Sequence, residues 1–375
     1  MVWRLLRPDA KRVWDDSAVI TRLSRYWDIM NEKRIAKYLI AKKIDANVEL
    51  DGDLPKLLNA HERIKESFGN IIRRVDDGEL EYESMDPPKV SYLDLKIELA
   101  QRMLEECIFC ERRCRVNRRK GEKGTWCKLD GRARISSAFL HHGEEAPLVP
   151  SGTIFFTSCN FCCVFCQNYD ISQVYPENGV EVPPEKLASI ARNLKREGAR
   201  NINYVGGDPT PNLHVIVESL KYSDINVTQL WNSNLYCSEE TMNILLDIMD
   251  FWLPDMKYYS DECAKEFSIV PNYWTVISRN HKLAYDHGGG PDHGEMIIRH
   301  LVLPNHVDCC TIPILEWIAE NCPKVLVNIM AQYRPTHLVG RNKKYSSINR
   351  RPTSKEMEKA YNTADALGII WRPVS

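Results

Sequence analysis

Thr153-Ile-Phe-Phe-Thr-Ser-Cys159-Asn-Phe-Cys-Cys-Val-Phe-Cys166 joins an apolar run of strand length to four cysteines within eight residues. The run Thr153–Thr157 is apolar enough to be buried on both faces, as in a parallel sheet. Strand-like runs then recur at Ile202–Val205, Val227–Trp231, Phe251–Leu253, Met296–Leu303 and Val325–Met330. Helical patterns separate most of them: Pro184–Glu197, Leu213–Tyr222, Glu239–Ile248 and Ile312–Glu320. Alternation of this kind predicts an α/β fold with a parallel sheet and helices outside it. Six strand units predict a partial, TIM-like (β/α)6 barrel, three-quarters of the eight-unit form. A last helix is expected over Ser354–Leu367.

Upstream the texture differs. Residues 1–106 are charged and carry apolar residues at helical spacing in Ala18–Lys43 and Leu93–Glu106, which predicts an N-terminal helical region. Residues 107–150 read as a short, basic, loop-rich cysteine segment ending in Pro147 and Pro150. Residues 151–375 then form the barrel and its C-terminal helix.

Acidic and basic residues nearly cancel over 375 residues, leaving a formal charge of -1. That balance gives no reason to expect a nucleic-acid or membrane-surface partner. No apolar run is long enough to span a membrane, and Met1–Arg12 is charged, without a signal-peptide core. A cytoplasmic protein is expected. In a reducing compartment clustered cysteines bind metal or do redox chemistry more often than they pair. Eight of the thirteen cysteines fall between Cys107 and Cys166. Cys237, Cys263, Cys309, Cys310 and Cys322 are scattered and read as small buried hydrophobes.

In parallel α/β sheets the chemistry sits at the carboxyl ends of strands. The polar and glycine-rich clusters fall there: Cys159–Cys166 after the first strand, Gly206-Gly-Asp-Pro209 after the second, Asn232-Ser-Asn234 after the third, Asp255-Met-Lys257 after the fourth and Gln332-Tyr-Arg-Pro335 after the last. Cys159, Cys163 and Cys166, at C-x3-C-x2-C spacing, can turn three thiolates to one centre. Three cysteines on a four-iron cluster leave one iron open for chemistry. Cys162 offers a second arrangement, a closed four-thiolate zinc site from two C-x2-C pairs. Neighbouring positions 162 and 163 tend to point apart in a tight loop, which weakens that alternative.

The C-x3-C-x2-C loop after the first strand resembles the signature of the radical S-adenosylmethionine (SAM) superfamily. Gly152–Asn160 and Cys163–Ser172, with His142-Gly-Glu-Glu145, Arg299-His-Leu-Val-Leu-Pro304 and Asn328–Pro335, resemble the uncharacterised homologues of pyruvate formate-lyase activating enzyme. The resemblance spans roughly residues 105–335. It implies a 4Fe-4S cluster held by Cys159, Cys163 and Cys166, with SAM chelated at the open iron. Reductive cleavage of SAM would give a 5′-deoxyadenosyl radical that takes a hydrogen atom from substrate, an oxidoreductase- or lyase-type chemistry. Ferredoxin or flavodoxin would be the electron donor.

The resemblance also assigns the rim. Gly206, Gly207, Asp208 and Pro209 correspond to a glycine–glycine–acid–proline element that meets the SAM amino group, with Asp where Glu is commoner. Asp255 and Lys257 correspond to an acid–x–lysine pair, and β alternation puts both on one strand face. Lys257 would pair with the SAM carboxylate, while Asp255 would anchor the cofactor or a cation. Asn232 and Ser233 stand where activating enzymes place a cation or SAM contact, there with an acid. Tyr333 and Arg334 replace a Tyr-His that touches adenosine. Arg299 is expected inside the barrel as an ion-pair partner.

Cys107, Cys110, Cys114 and Cys127 supply four thiols in a short loop and predict a closed second centre. Zinc and a second iron–sulfur cluster both suit four thiolates. His281, His287 and His293, around Gly288–Gly290, read as a solvated loop or lid. The leading expectation is radical formation on a protein substrate, as activating enzymes do on a glycine. The runner-up is a radical SAM enzyme acting on a peptide, RNA or small metabolite. A non-catalytic iron–sulfur or zinc protein is the third reading. The Gly206–Pro209 turn and the Asp255/Lys257 pair argue against it.

Overall fold

The computed structural model describes residues 3–287 and 295–375. Its strands are β1 (Arg134–His141), β2 (Ser151–Phe156), β3 (Val180–Glu181), β4 (Asn201–Gly206), β5 (Thr228–Trp231), β6 (Phe251–Trp252), β7 (Ile297–Leu301) and β8 (Leu326–Met330). All six expected parallel strands form. β2, β4, β5 and β6 pair in parallel in that order, and β7 pairs in parallel with β8. The bridges Trp252–Met296 and Asp255–Arg299 carry the arc from β6 to β7. The arc does not close into a barrel. β1 takes the free edge of β2 in antiparallel register, and β3 pairs with β1.

β1 corrects the reading of 107–150 as loop-rich. Its run from Ser136 to Phe139 is exposed, so no buried face announces it in the sequence. Ladder bonds to β2 define it, from Ile135 opposite Phe156 to His141 opposite Ser151.

Helices Pro184–Arg196, Leu213–Ser219, Glu239–Leu245, Asp261–Ser268, Tyr273–His287 and Ile312–Asn321 connect successive parallel strands. Pro184–Arg196 shows why they form. Leu187, Ala188, Ala191 and Leu194 are buried at helical spacing, and proline stands at the first helical position.

The expected N-terminal helix over Ala18–Lys43 is broken into Ser17–Arg22, Ser24–Met30 and Lys37–Ala41. Arg25 explains one part of this arrangement. It is buried, with Nε 3.0 Å from Asp76 and Nη1 3.0 Å from Asp250, just before β6. Glu295, just before β7, accepts from the backbone N–H of Arg25 at 2.8 Å. Lys96 is likewise buried against Asp247 at 2.9 Å. Buried Leu57, Phe68 and Tyr92 share one apolar cluster with Ile154 and Tyr204 of the sheet.

The histidine stretch is corrected in part. His281 lies in helix Tyr273–His287, fully buried, with Nδ1 2.8 Å from the Ile277 carbonyl. Its neighbours Ile277 and Ala284 form the apolar face that draws it inward. His287 ends the same helix, while His293 and Gly288–Gly290 lie outside the described residues.

Candidate active site

A cavity of about 990 Å³ runs through the sheet's interior. Cys159, Cys163 and Cys166 line it where β2 ends, and Cys162 does not. The loop turns sharply because Ser158 adopts a left-handed conformation, φ 73°. Burial pushes the thiols of Cys159 and Cys163 up, and a bound metal would favour their thiolate form. Cys163 Sγ is 2.9 Å from Ser268 Oγ, which in turn is 2.7 Å from the Tyr258 hydroxyl. Cys159 Sγ accepts from the backbone N–H of Phe161 at 3.3 Å, and Cys166 Sγ is 3.5 Å from Ser172 Oγ. Each thiol therefore already has a polar neighbour able to stabilise a thiolate.

No three sulfurs of this loop come within 4.8 Å of one another. A tetrahedral zinc–thiolate site has S···S edges of about 3.8 Å, from Zn–S bonds of about 2.3 Å. The wider spread, on three thiols facing one cavity, suits a polynuclear cluster.

Gly206 and Gly207 are required by the backbone itself. Gly206 has φ +124°, and a Cβ there would stand 2.1 Å from the Phe156 carbonyl oxygen. A Cβ on Gly207 would stand 1.8 Å from the Ser158 carbonyl oxygen. Both residues line the cavity, so the close approach presses the β4 loop onto the cysteine loop.

Asp208 also lines the cavity, but its carboxylate is engaged by the protein. It accepts from Thr210 N–H, Ser233 Oγ and Asn234 N–H, each at 2.9 Å. Burial pushes its pKa up and these donors oppose that. It clamps the loops after β4 and β5 together. Pro209 is not on the cavity wall; it leads into the short turn Thr210–Asn212.

A chain of charge runs along the interior. Lys257 Nζ is 2.6 Å from Asp255 Oδ2, and Arg299 Nε is 2.8 Å from Asp255 Oδ1. Arg299 also donates to Asn232 Oδ1 and reaches Glu144 at 3.8 Å. Burial pushes the Asp255 carboxyl up, but Arg299 and then Lys257 outweigh it and hold it below its ordinary value. Asn232 Nδ2 is buried without a hydrogen-bond partner. It lines the cavity and could donate to a bound carboxylate.

Tyr333 is buried at the cavity, its hydroxyl donating to the Ile348 carbonyl at 2.8 Å. Arg334 is exposed and does not line the cavity. In an extended segment successive side chains face opposite ways, so an inward Tyr333 turns Arg334 outward.

Sequence reasoning did not single out Glu144, Glu145 and Asn328 as site residues. All three line the cavity. Glu145 accepts from Asn328 Nδ2 at 2.8 Å through Oε1, and its Oε2 is buried without a partner. Burial raises its pKa to about 7, with Glu144 adding to the rise and Arg299 opposing it. Only the paired acids in His142-Gly-Glu-Glu145 hinted at this, since β1 was not legible. Arg7 donates to the His142 and Glu144 carbonyls, and Asp9 and Asp16 join it, so the N-terminal segment forms part of the cavity wall.

Cys107, Cys110, Cys114 and Cys127 converge on a small separate cavity behind the triad loop. Cys127 O accepts from Ser158 Oγ at 2.5 Å, next to Cys159. Buried Arg118 has Nη1 3.8 Å from Cys107 Sγ, and its other hydrogen bonds go to the Asp130 and Pro211 carbonyls. A buried guanidinium with no carboxylate hydrogen-bonded to it fits an anionic thiolate centre. Here too no three sulfurs lie within 4.8 Å.

The fold and site define a radical SAM protein. The Radical SAM superfamily model matches residues 153–318. The chain is 41% identical over 353 residues to the uncharacterized protein MJ0674 of Methanocaldococcus jannaschii, covering 93% of this chain and 98% of that protein. The chain belongs to the radical SAM superfamily, whose members use a 4Fe-4S cluster and SAM. Among solved structures it is similar to Streptococcus suis SuiB bound to S-adenosylmethionine, at 16% identity and TM-score 0.42 over 57% of this chain. It spans about half of SuiB, 48%. It is also similar to a domain of a Bacteroides vulgatus pyruvate-formate lyase-activating enzyme, at 17% identity and TM-score 0.34, covering 46% of this chain and 96% of that one. A radical SAM methyltransferase from Sphaerobacter thermophilus matches at 13% identity and TM-score 0.43, over 84% of this chain and 92% of its own. Among the described residues no helix is long and apolar enough to cross a membrane.

Proposed function

We propose that Cys159, Cys163 and Cys166 hold the 4Fe-4S cluster and that the protein abstracts hydrogen from a polypeptide, as activating enzymes do on a glycine. The observation that carries this is the triad facing a 990 Å³ cavity from which Cys162 is turned away. When bound, the cluster and SAM supply a 5′-deoxyadenosyl radical. The chain's own residues bind and orient. Lys257 and the unpartnered Asn232 Nδ2 are placed to meet a carboxylate, while Asp255 holds Lys257 and Arg299 in position. Gly206 and Gly207 let the β4 loop close on the cysteine loop. Tyr333 and Phe165, in edge contact with ring centroids 5.5 Å apart, give the wall an apolar surface that excludes water.

The arc of strands is not closed by pairing between β8 and β1, and that openness is the ground for favouring a polypeptide substrate. A ferredoxin or flavodoxin would donate the electron. The four upstream thiols, adjacent to the triad loop through Ser158, would hold a second iron–sulfur cluster on that route. A second reading, a small basic metabolite, is favoured by Glu145, which lines the same cavity and keeps a buried oxygen without a partner.

The test is 5′-deoxyadenosine formation by reduced, reconstituted enzyme, with separate macromolecular and small-molecule fractions of cell extract. Stimulation by protein, with a radical signal on it, supports the first reading. Stimulation by small molecules alone replaces it with the second.

A further inference from the structure

Cys263 and Cys310 are buried as expected, but the reading of Cys309 as a buried hydrophobe is corrected. Cys309 is exposed, and the three sulfurs all lie within 4.8 Å of one another. His306 stands beside two of these sulfurs but is not within 4.8 Å of the third, Cys310. Its Nδ1 is 3.5 Å from Cys263 Sγ and 3.3 Å from Cys309 Sγ. Cys309 and Cys310 sulfurs are 4.0 Å apart. Among the described residues no other three cysteine, histidine or acidic ligand atoms converge this closely.

We propose that Cys263, Cys309 and Cys310 form a three-thiolate site for a zinc ion, separate from the active site, with His306 as the fourth ligand once its ring turns toward Cys310. Tetrahedral zinc with Zn–S of about 2.3 Å and Zn–N of about 2.0 Å requires S···S edges near about 3.8 Å and S···N edges near about 3.6 Å. The Cys309–Cys310 edge and the edges from His306 to Cys263 and Cys309 match, all three sulfurs lie within 4.8 Å of one another, and the His306–Cys310 edge is longer than 4.8 Å. Thiolate and imidazole are the donors that zinc prefers over calcium or magnesium. With His306 turned in as the fourth ligand the coordination sphere would be closed, so the ion would be structural.

Local structure explains the convergence. Ser260 caps helix Asp261–Ser268, accepting from the backbone N–H of Cys263 at 3.3 Å and fixing that residue in the first turn. Val307–Thr311 is a wide, π-type turn. Its widened pitch lets consecutive Cys309 and Cys310 both face Cys263. The Phe267 ring stands edge-on to His306, with centroids 5.0 Å apart and planes at 82°. None of these residues lines the large cavity.

The ion would tie helix Asp261–Ser268 to the turn after β7. The far end of that helix carries Ser268, whose hydroxyl meets Cys163. Zinc here would thus brace one wall of the triad from a distance.

The experiment uses the full chain, purified anaerobically from zinc-supplemented medium. Zinc and iron per chain are measured together in wild type and in the double variant Cys309→Ala/His306→Ala. The expected result is loss of one zinc equivalent with iron unchanged. Cobalt(II) replacement should give tetrahedral ligand-field bands and a thiolate charge-transfer band in wild type only. Alkylation followed by peptide mapping needs no variant. Cys309 should be protected with zinc bound and should react after chelation, although it is exposed. Equal zinc in wild type and variant, Cys309 reacting at the same rate before and after chelation, or a Cys263–Cys310 disulfide in the anaerobic protein would overturn the proposal. Iron content and deoxyadenosine formation report the proposed function separately.

Discussion

Ser268 Oγ lies 2.9 Å from Cys163 Sγ and is itself approached at 2.7 Å by the Tyr258 hydroxyl. Once Cys163 is a thiolate it can only accept, so Ser268 would donate to the sulfur and Tyr258 to Ser268. Hydrogen bonds to cluster sulfurs stabilise the reduced state and raise its potential. Ser268→Ala should therefore keep its iron, lower the reduction potential and slow deoxyadenosine formation several-fold. An EPR-monitored redox titration checks this. An unchanged potential would show that the hydroxyl serves packing only.

Asp255 sits between two cations, Lys257 and Arg299, with these side chains about a fifth exposed or less. Asp255→Asn leaves Lys257 without its carboxylate and Arg299 with only the longer pair to Glu144, and should destabilise the fold by about 3 kcal/mol. Lys257→Met leaves Asp255 paired with Arg299. It should cost little stability but weaken SAM binding about tenfold, roughly one charged hydrogen bond. Urea unfolding and calorimetric SAM titration separate the two effects.

A Cβ added at Gly124 would stand 2.4 Å from Cys127 Sγ. Gly124→Ala should push that thiol out of the four-cysteine loop and empty the upstream centre. Iron at the triad should remain, read as the residual iron per chain. The triple variant Cys159→Ala/Cys163→Ala/Cys166→Ala should show the reverse, with upstream metal retained.

Glu145 is held protonated by burial, with a pKa of about 7 against an ordinary value of 4.5. A carboxyl whose folded pKa is raised favours folding below its unfolded pKa, and that advantage is lost as pH rises through the folded value. Stability should fall between about pH 4.5 and 7 for this reason. Glu145→Gln should match wild type near pH 5 and exceed it near pH 8, by up to about 3 kcal/mol. Melting temperatures across that range test the sign.

Much of this architecture is legible in the sequence because parallel strands are buried on both faces. Ile202–Val205 and Val325–Met330 leave no alternative to a buried strand or helix, and their length decides. The triad is legible because three thiols at that spacing serve one centre. β1 is not, since its exposed middle carries no periodicity and pairing with β2 alone defines it. Glu144 and Glu145 were hidden with it, in the loop that β1 creates. Cys263, His306, Cys309 and Cys310 are hidden for another reason. More than forty positions of chain separate Cys263 from the others, and only the packing of helix Asp261–Ser268 against the Val307–Thr311 turn brings them together.

The most direct measurement of the central claim is EPR of the anaerobically reconstituted, reduced protein with and without SAM, paired with deoxyadenosine assay. Wild type and Cys162→Ala should each show a reduced four-iron signal that changes when SAM is added, and both should form 5′-deoxyadenosine. Cys163→Ala should lose the SAM-responsive signal and the product. Product formation that survives in Cys163→Ala but disappears in Cys162→Ala would contradict the assignment of the triad.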